Sequence, residues 1–306
     1  MAAASLRALL EGAIDYAGLF PPANLELAPA LENHARYVRS ADAWMLGVFI
    51  LPLAKFDDAS ANLSGFDVHH ALKLSALGAK TDNVDALVAS VKKAKDAING
   101  FNLRHGASAS ISQMEVPLPA SAPLECLKKD AGAFSELALP VFWEASADDA
   151  ERTIAIIAEK RQTEHQPNLG YKLRTGGVIA SAFPSCIQVA RALVAAARRQ
   201  VPIKFTAGLH HPFRQFHSSV GTEMHGFLNV LGAGVLAAEH DWDVQQTATM
   251  LEELDASTFS FNSDEFQWRE WRIPTDSIRA RRAVVTSLGS CSFDEPLEDL
   301  RALNLF

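Results

Sequence analysis

Cysteine is scarce in this chain: three residues of 306, Cys126, Cys186 and Cys291. They lie far apart and form no CxxC pair, which argues against a zinc knuckle and against a disulfide framework; reduced thiols in a cytoplasmic protein are the simplest reading. Basic runs are missing as well. Lys and Arg total 28 against 36 Asp and Glu, giving a formal net charge of −8. With no RNA- or DNA-binding motif beside that balance, nucleic acid is not an expected partner. No window holds the ~18 uninterrupted apolar residues of a membrane span. The most apolar run, Trp44 to Leu53, has the length of a strand. The N-terminus MAAASLRALLEG lacks the basic region and long apolar core of a secretory signal. No Gly-rich phosphate fingerprint follows a strand, and no HxH or HExxH spacing points to a metal.

What is present suits a globular α/β chain. Apolar residues make up 48% and charged residues 21%, and a chain of this size buries a full core without staples. Helical and strand-like signals alternate. Helices are expected at Ser5–Gly12 and Leu25–Arg39, and a doubly buried strand at Trp44–Leu51. A strand at Ala71–Leu77, a helix at Val84–Asn99 and a strand at Ile111–Leu118 follow. Pro123–Phe134 reads as helix and Leu139–Glu144 as strand; Ser146 then caps a helix running to about Glu164. Gly170–Arg174 and Pro202–Thr206 are strands flanking the helix Pro184–Arg199. Gly226–Glu239 is either a seventh strand with the start of its helix or wholly helical. Val244–Leu254 is helical, Thr258–Asn262 is a candidate eighth strand, and Thr275–Ser287 the last helix. Strands alternating with helices imply βαβ units and a parallel sheet. The expected fold is a single (β/α)8 TIM-type barrel over residues 1–306 with an N-terminal helical extension; a doubly wound open sheet is the runner-up.

Charged residues recur inside strands that otherwise read as buried: Glu115 in SQMEVPLP, Glu144 in LPVFWEAS, Lys172 and Arg174 in LGYKLRTGG, Lys204 in VPIKFTAGLHH. Alternate strand residues share a face. Lys172 with Arg174, Lys204 with Thr206, and Glu144 with Phe142 would therefore point inward. Such charges are costly unless paired, and barrel active sites lie at the C-terminal ends of the strands. The competing reading is an ion-pair network that only closes the barrel. Thr175-Gly176-Gly177 and Ala207-Gly208 follow two of these strands and could let backbone N–H groups approach an anion, or serve as ordinary turns.

Four of the ten histidines, His210, His211, His217 and His225, fall within sixteen residues. His210 and His211 follow a strand-end loop and are candidates for proton transfer or metal ligation, with one of the two facing the site. His225 is a substrate-binding candidate and His217 a surface residue. Asp15 in AIDYAGLFPPA sits in a rigid loop that either reaches the site or plugs one barrel end through Leu19–Pro22. Near the C-terminus, Asp294 caps a helix starting at Pro296, and Cys291 has no evident base partner.

The segments GAIDYAGLFPPA, KLRTGG, KFTAGLHHP, MHGFLN and GSCSFDEPLEDL together resemble a family of bacterial hypothetical proteins, over nearly the whole chain. That resemblance implies boundaries and no activity. A shorter one carries chemistry. Glu144, Lys172 in YKLRTGG and Lys204 in IKFTAGL resemble class I aldolases of the deoxyribose-phosphate type. These are (β/α)8 barrels with a Schiff-base lysine on strand six and a second lysine on strand seven. Lys172 matches the first and Lys204 the second, although counting strands along this sequence places them on the fifth and sixth. Glu115 is nearest by order to that family's catalytic aspartate; Arg174 replaces a small residue, and the histidine pair has no counterpart.

Two neighbouring lysines would lower each other's pKa and leave one amine free to attack a carbonyl. The leading expectation is thus an aldolase-like lyase acting on a small anionic carbonyl compound. Lys172 is the nucleophile, Lys204 its neighbour, Glu144 or a histidine the proton shuttle, and Arg174 the anion clamp. Asp15, Glu115, Thr175, Gly176, Gly177, Thr206, Gly208 and His225 complete the expected binding shell. The second expectation is a metal-assisted lyase, isomerase or hydrolase using Glu115, Glu144 and one of His210 and His211. The third is a metabolite-binding barrel without turnover. The sequence names no cofactor and leaves metal content and self-association into a homo-oligomer open.

Overall fold

The computed structural model describes residues 2–121, 123–129, 139–163 and 168–306. Eight parallel strands close into a barrel. They are β1 (Ile14–Tyr16), β2 (Leu46–Pro52), β3 (Leu72–Leu77), β4 (Ala109–Pro117), β5 (Val141–Ala145), β6 (Leu169–Arg174), β7 (Ile203–Thr206) and β13 (Val285–Ser290). Consecutive strands pair side by side, and β1 pairs with both β2 and β13 to complete the ring. Between β7 and β13 lie a hairpin of β8 (Gln215–His217) and β9 (Thr222–Met224) and an antiparallel sheet of β10 (Phe259–Phe261), β11 (Glu265–Trp268) and β12 (Trp271–Pro274). The helix Ala4–Leu10 precedes β1, buries Leu6, Leu9 and Leu10, and packs against the helix Thr275–Arg281.

The barrel is the expected one, with its strand assignments moved at both ends. The segment expected as a loop around Asp15 forms β1, which has only three residues, IDY, one of them charged, and so carries no apolar run. With β1 as the first strand, every strand up to β7 stands one place later than the sequence count gives. Leu19 and Phe20 are only partly buried and Pro21 and Pro22 are exposed, so that segment does not plug the barrel. At the other end, the helix stops at Arg281 and Val285–Ser290 is the eighth strand, not the tail of a helix. The expected strand at Thr258–Asn262 is real but belongs to the antiparallel sheet outside the barrel. The segment expected at Gly226–Glu239 is helical from Phe227 to His240, with Gly226 as its extended N-cap; every residue from Phe227 to Ala237 is buried, so the polar face that marks a surface helix is missing. The residues expected as helix at 130–134, and Glu164, lie outside the described residues.

Local chemistry explains the clearer elements. Ser185 forms a capping box with Gln188 at the start of the helix Cys186–Arg199, and Gln200 ends it in the left-handed conformation. The stretch Ala180–Arg199 is long and apolar enough to match a membrane span by composition. Its helix proper has 14 residues and buries Val189, Ala190, Leu193 and Ala196. Arg282 secures the seam between β1 and β13. It donates to the carbonyls of Leu9 and Thr286, to Val285 at 2.8 Å and to Glu11 at 3.3 Å.

Candidate active site

Strands β1, β4 and β7 are not neighbours, so their side chains can meet only through the barrel interior. They do meet. Lys204 Nζ on β7 donates to Asp15 Oδ2 on β1 at 2.8 Å and to Glu115 Oε1 on β4 at 2.6 Å. Glu115 Oε2 in turn accepts from Lys172 Nζ on β6 at 2.6 Å, and Lys172 reaches Glu144 Oε2 on β5 at 2.8 Å. The result is a chain of alternating charge, Asp15–Lys204–Glu115–Lys172–Glu144, with side chains of the first four at most 4% exposed. The inward phase expected for Lys172, Lys204 and Glu144 is the phase observed.

Neutral groups complete the bonding. Ser75 Oγ donates to Glu115 Oε1 at 2.8 Å. Ser287 Oγ donates to Asp15 Oδ2 at 2.7 Å, and the Val48 amide donates to Asp15 Oδ1 at 2.9 Å. The Lys204 ammonium also stands 5.3 Å from the centre of the Phe142 ring. Neither serine was singled out from the sequence. In LKLSAL, Ser75 occupies an alternate position of a buried strand, and a small hydroxyl there gives no distinctive signal.

The electrostatics differ from two bare lysines sharing a pocket. Burial alone would lower Lys172, but the carboxylates of Glu115 and Glu144 outweigh it and hold the ammonium above its ordinary value. Burial also opposes the Lys204 charge, and Asp15 and Glu115 overcome it in the same way. For Glu115, burial works to raise the carboxyl while the two ammoniums hold it well below the usual carboxylate range. The expected mutual depression of the lysines is therefore corrected: a carboxylate stands between them, and both rest as ammonium ions.

One end of the network reaches solvent. Glu144, 13% exposed, and Arg174, 54% exposed, line a cleft of about 790 Å3 at the C-terminal ends of β4 to β6. Arg174 Nη1 is 3.9 Å from Glu144 Oε1, too far for a hydrogen bond and close enough to attract. Pro117, Phe183 and Gln188 form other parts of the wall, and Lys80 adds a second cation.

The other sequence candidates sit elsewhere. Thr175 is buried and its hydroxyl donates to the Ala207 carbonyl at 2.7 Å, tying the β6 and β7 loops together. Gly176 and Gly208 make that approach possible: a Cβ on Gly176 would come within 2.8 Å of the Gly208 Cα, and Gly208 has φ +76°. A Cβ on Gly177 would meet that of Ala182 at 2.7 Å. These glycines are explained by loop packing. Thr206 closes against β13, where a Cβ on Gly289 would lie 3.2 Å from its hydroxyl.

His210 and His211 both turn to the C-terminal helix Asp294–Ala302, where they meet Glu295 at 3.1 Å and Asp299 at 2.7 Å. The expectation is that one of the two faces the site; both rings instead turn to this helix, and neither lines the cleft beside Glu144 and Arg174. His225 is buried with its Nε2 2.7 Å from the Pro184 carbonyl, and burial pushes it down to about 4. Glu115 and Glu144 are bridged by Lys172, and neither is brought to a histidine; among the described residues no group of three or more His, Cys, Asp or Glu could hold a metal ion. Cys291, expected to lack a base, lies 3.9 Å from His210 Nδ1. Asp294 is the first residue of its helix and binds Arg36 and Tyr37 instead of capping; the Ser292 hydroxyl accepts the Glu295 amide.

No protein-family model matches the chain, and no curated protein matches it. Among solved structures, it is similar to one described as the first monomeric dihydrodipicolinate synthase variant, at 14% identity and a TM-score of 0.39. That match covers 66% of this chain and 64% of the other, so the chain spans just under two thirds of the structure it resembles.

Proposed function

We propose that this barrel is an enzyme, an aldolase-like lyase that forms an imine between Lys172 and a small anionic carbonyl compound. One observation carries the reading: Glu115 bridges two interior lysines, and one of them, Lys172, is linked through Glu144 to a cleft that presents Arg174. Lys172 lies on β6, Lys204 on β7 and Glu115 on β4. The deoxyribose-phosphate type of aldolase, which the sequence resembles, likewise carries its two lysines on strands six and seven.

The chemistry follows from the resting charges. Arg174 holds the anionic group of the substrate through its planar fork. Lys172 must lose a proton before it can attack, and Glu144, in contact with Lys172 and open to the cleft, is placed to take it. The neutral amine adds to the carbonyl carbon and the carbinolamine loses water. The protonated imine takes up the electron pair of the Cα–Cβ bond as an enamine while the β-hydroxyl loses its proton and that fragment leaves as an aldehyde; protonation of the enamine at Cα and hydrolysis of the imine then free the second product and Lys172. Lys204 stays enclosed, holds Glu115 in register and keeps the interior charge balanced. The partner on this reading is a small metabolite in the cytoplasm, with no role for nucleic acid or membrane.

A second reading has one observation in its favour. Both hydrogen bonds of the Lys204 ammonium go to carboxylates inside the barrel, and it stands over the Phe142 ring, as in a network that only closes the fold. The cleft would then bind a metabolite without converting it.

Borohydride reduction in the presence of acetaldehyde, pyruvate and a sugar phosphate aldehyde separates the two. The expected result is a stable mass adduct mapped to Lys172, absent in Lys172→Met and retained in Lys204→Met. Folded protein that gives no adduct with any of them would favour the binding reading.

A further inference from the structure

A second reactive cluster stands on the same barrel face and takes no part in the lysine network. Cys291 directly follows β13, and His210 lies in the loop after β7, so both are at C-terminal strand ends. Cys291 Sγ is 3.9 Å from His210 Nδ1, and the same nitrogen is 3.1 Å from Glu295 Oε2. Of the three thiols, Cys291 is the most accessible, at 9% against 5% for Cys186 and 0% for Cys126.

The fold supplies its own comparison. Cys186 Sγ is 4.0 Å from His225 Nδ1, nearly the same contact. There the third partner is a cation: Arg214 Nη1 is 3.4 Å from His225 Nδ1. Burial and that cation keep His225 neutral, down to about 4, and burial pushes the Cys186 thiol up to about 11. At His210 the third partner is a carboxylate. Burial works to lower His210, but Cys291 and Glu295 prevail and raise it to about 9. Two Cys–His contacts of equal length thus differ in the charge beside the imidazole. Arg214, paired with Glu223 at 2.5 Å, also favours the Cys186 thiolate, but burial outweighs it; only Cys291 touches an imidazole that is itself held cationic.

We propose that Cys291 is a covalent capture site for small soft electrophiles of the α,β-unsaturated carbonyl class, activated by His210 and restrained by Glu295. In the reaction the thiol proton leaves to solvent and the His210 imidazolium stabilises the thiolate. Sγ then bonds the β-carbon, and the α-carbon takes up a proton from solvent, so atoms and charge balance without a further reactant. Glu295 competes with the sulfur for the single Nδ1–H and adds a negative charge beside it. The groups facing the thiol are therefore His210 from the β7 loop, Glu295 from the C-terminal helix and Tyr16 from β1.

The test uses iodoacetamide, and N-ethylmaleimide as the unsaturated carbonyl probe, on the native full-length protein at pH 7, with peptide mapping of all three cysteines over time. Cys291 is expected to react at least about tenfold faster than Cys186 or Cys126, since it is the most accessible of the three and touches the His210 cation. His210→Gln should slow Cys291 by about tenfold and Glu295→Gln should speed it, since removing a cation and removing an anion have opposite effects on a thiolate. Should His210→Gln fail to fold, the wild-type ranking and Glu295→Gln still decide. Equal rates at Cys291 and Cys186, or a Glu295→Gln variant no faster than wild type, would overturn the proposal.

Discussion

Replacing Glu115 by Gln keeps the shape of the central residue and removes the charge that two buried ammoniums share. Both oxygens of Glu115 are engaged, one with Lys204 and Ser75, the other with Lys172. After the change, Lys172 keeps Glu144 and Lys204 keeps Asp15, so each ammonium loses one of two anionic partners. Breaking a buried ion pair from one side costs about 3–5 kcal/mol. The expected loss for Glu115→Gln at pH 7 is at the lower end, about 3 kcal/mol, because both lysines retain a partner.

The pH dependence gives the sharper signature. In the wild type the lysines are held above their ordinary value, so the folded state keeps protons that the unfolded state gives up near 10.5. That contribution is complete below 10.5 and is lost as pH rises through the folded-state value. Glu115 is held low, so its contribution is complete above 4.5 and is lost as pH falls toward the folded-state value. In Glu115→Gln the acid limb weakens. The alkaline limb changes sign if burial now dominates at the lysines, since the unfolded chain then binds more protons and stability rises with pH up to 10.5. Urea unfolding midpoints for both proteins from pH 4 to 11, followed by circular dichroism, measure this. A variant within about 1 kcal/mol of wild type at pH 7 and with parallel pH profiles would refute the claim that the network is a tightly coupled charged core.

Lys172→Met should abolish the borohydride adduct and leave Glu144, already in contact with the cleft, to find water; its stability loss should be smaller than that of Glu115→Gln in the same unfolding series. The His210 ring protons, followed by NMR, should titrate near 9, well above 6.5; this stabilisation is present below 6.5 and fades as pH rises through 9, and a midpoint at or below 6.5 would contradict the carboxylate contact. Ser185→Ala removes the hydroxyl that accepts the Gln188 amide at 3.3 Å and should cost about 1 kcal/mol in thermal or urea unfolding.

Much of the barrel was legible because alternation and periodicity are local. WMLGVFIL, LGYKLRT and VPIKFT announce doubly buried parallel strands whatever surrounds them, and the phase of two decides which residues turn inward. The helices expected at Val84–Asn99 and Pro184–Arg199 likewise depend on neighbours within four residues, and both are present, as Val84–His105 and Cys186–Arg199. The strand count was not legible. β1 has three residues and β13 holds Ser287, Gly289 and Ser290, so neither carries the apolar run by which an isolated strand is known. Their strand identity comes from closing the ring against each other.

The site divides in the same way. The sequence alone determined that Glu115, Glu144, Lys172 and Lys204 are charges set in buried strands, and that such charges must find partners. Only the tertiary structure decided which partners. Asp15 meets Lys204 across 189 positions of sequence, and Ser287 meets Asp15 across 272. Whether a lysine is depressed by another lysine or raised by a carboxylate placed between them depends on distances of a few ångströms. Those distances exist only once the barrel has closed, because Coulomb energies in a dry interior follow separation in space and not along the chain.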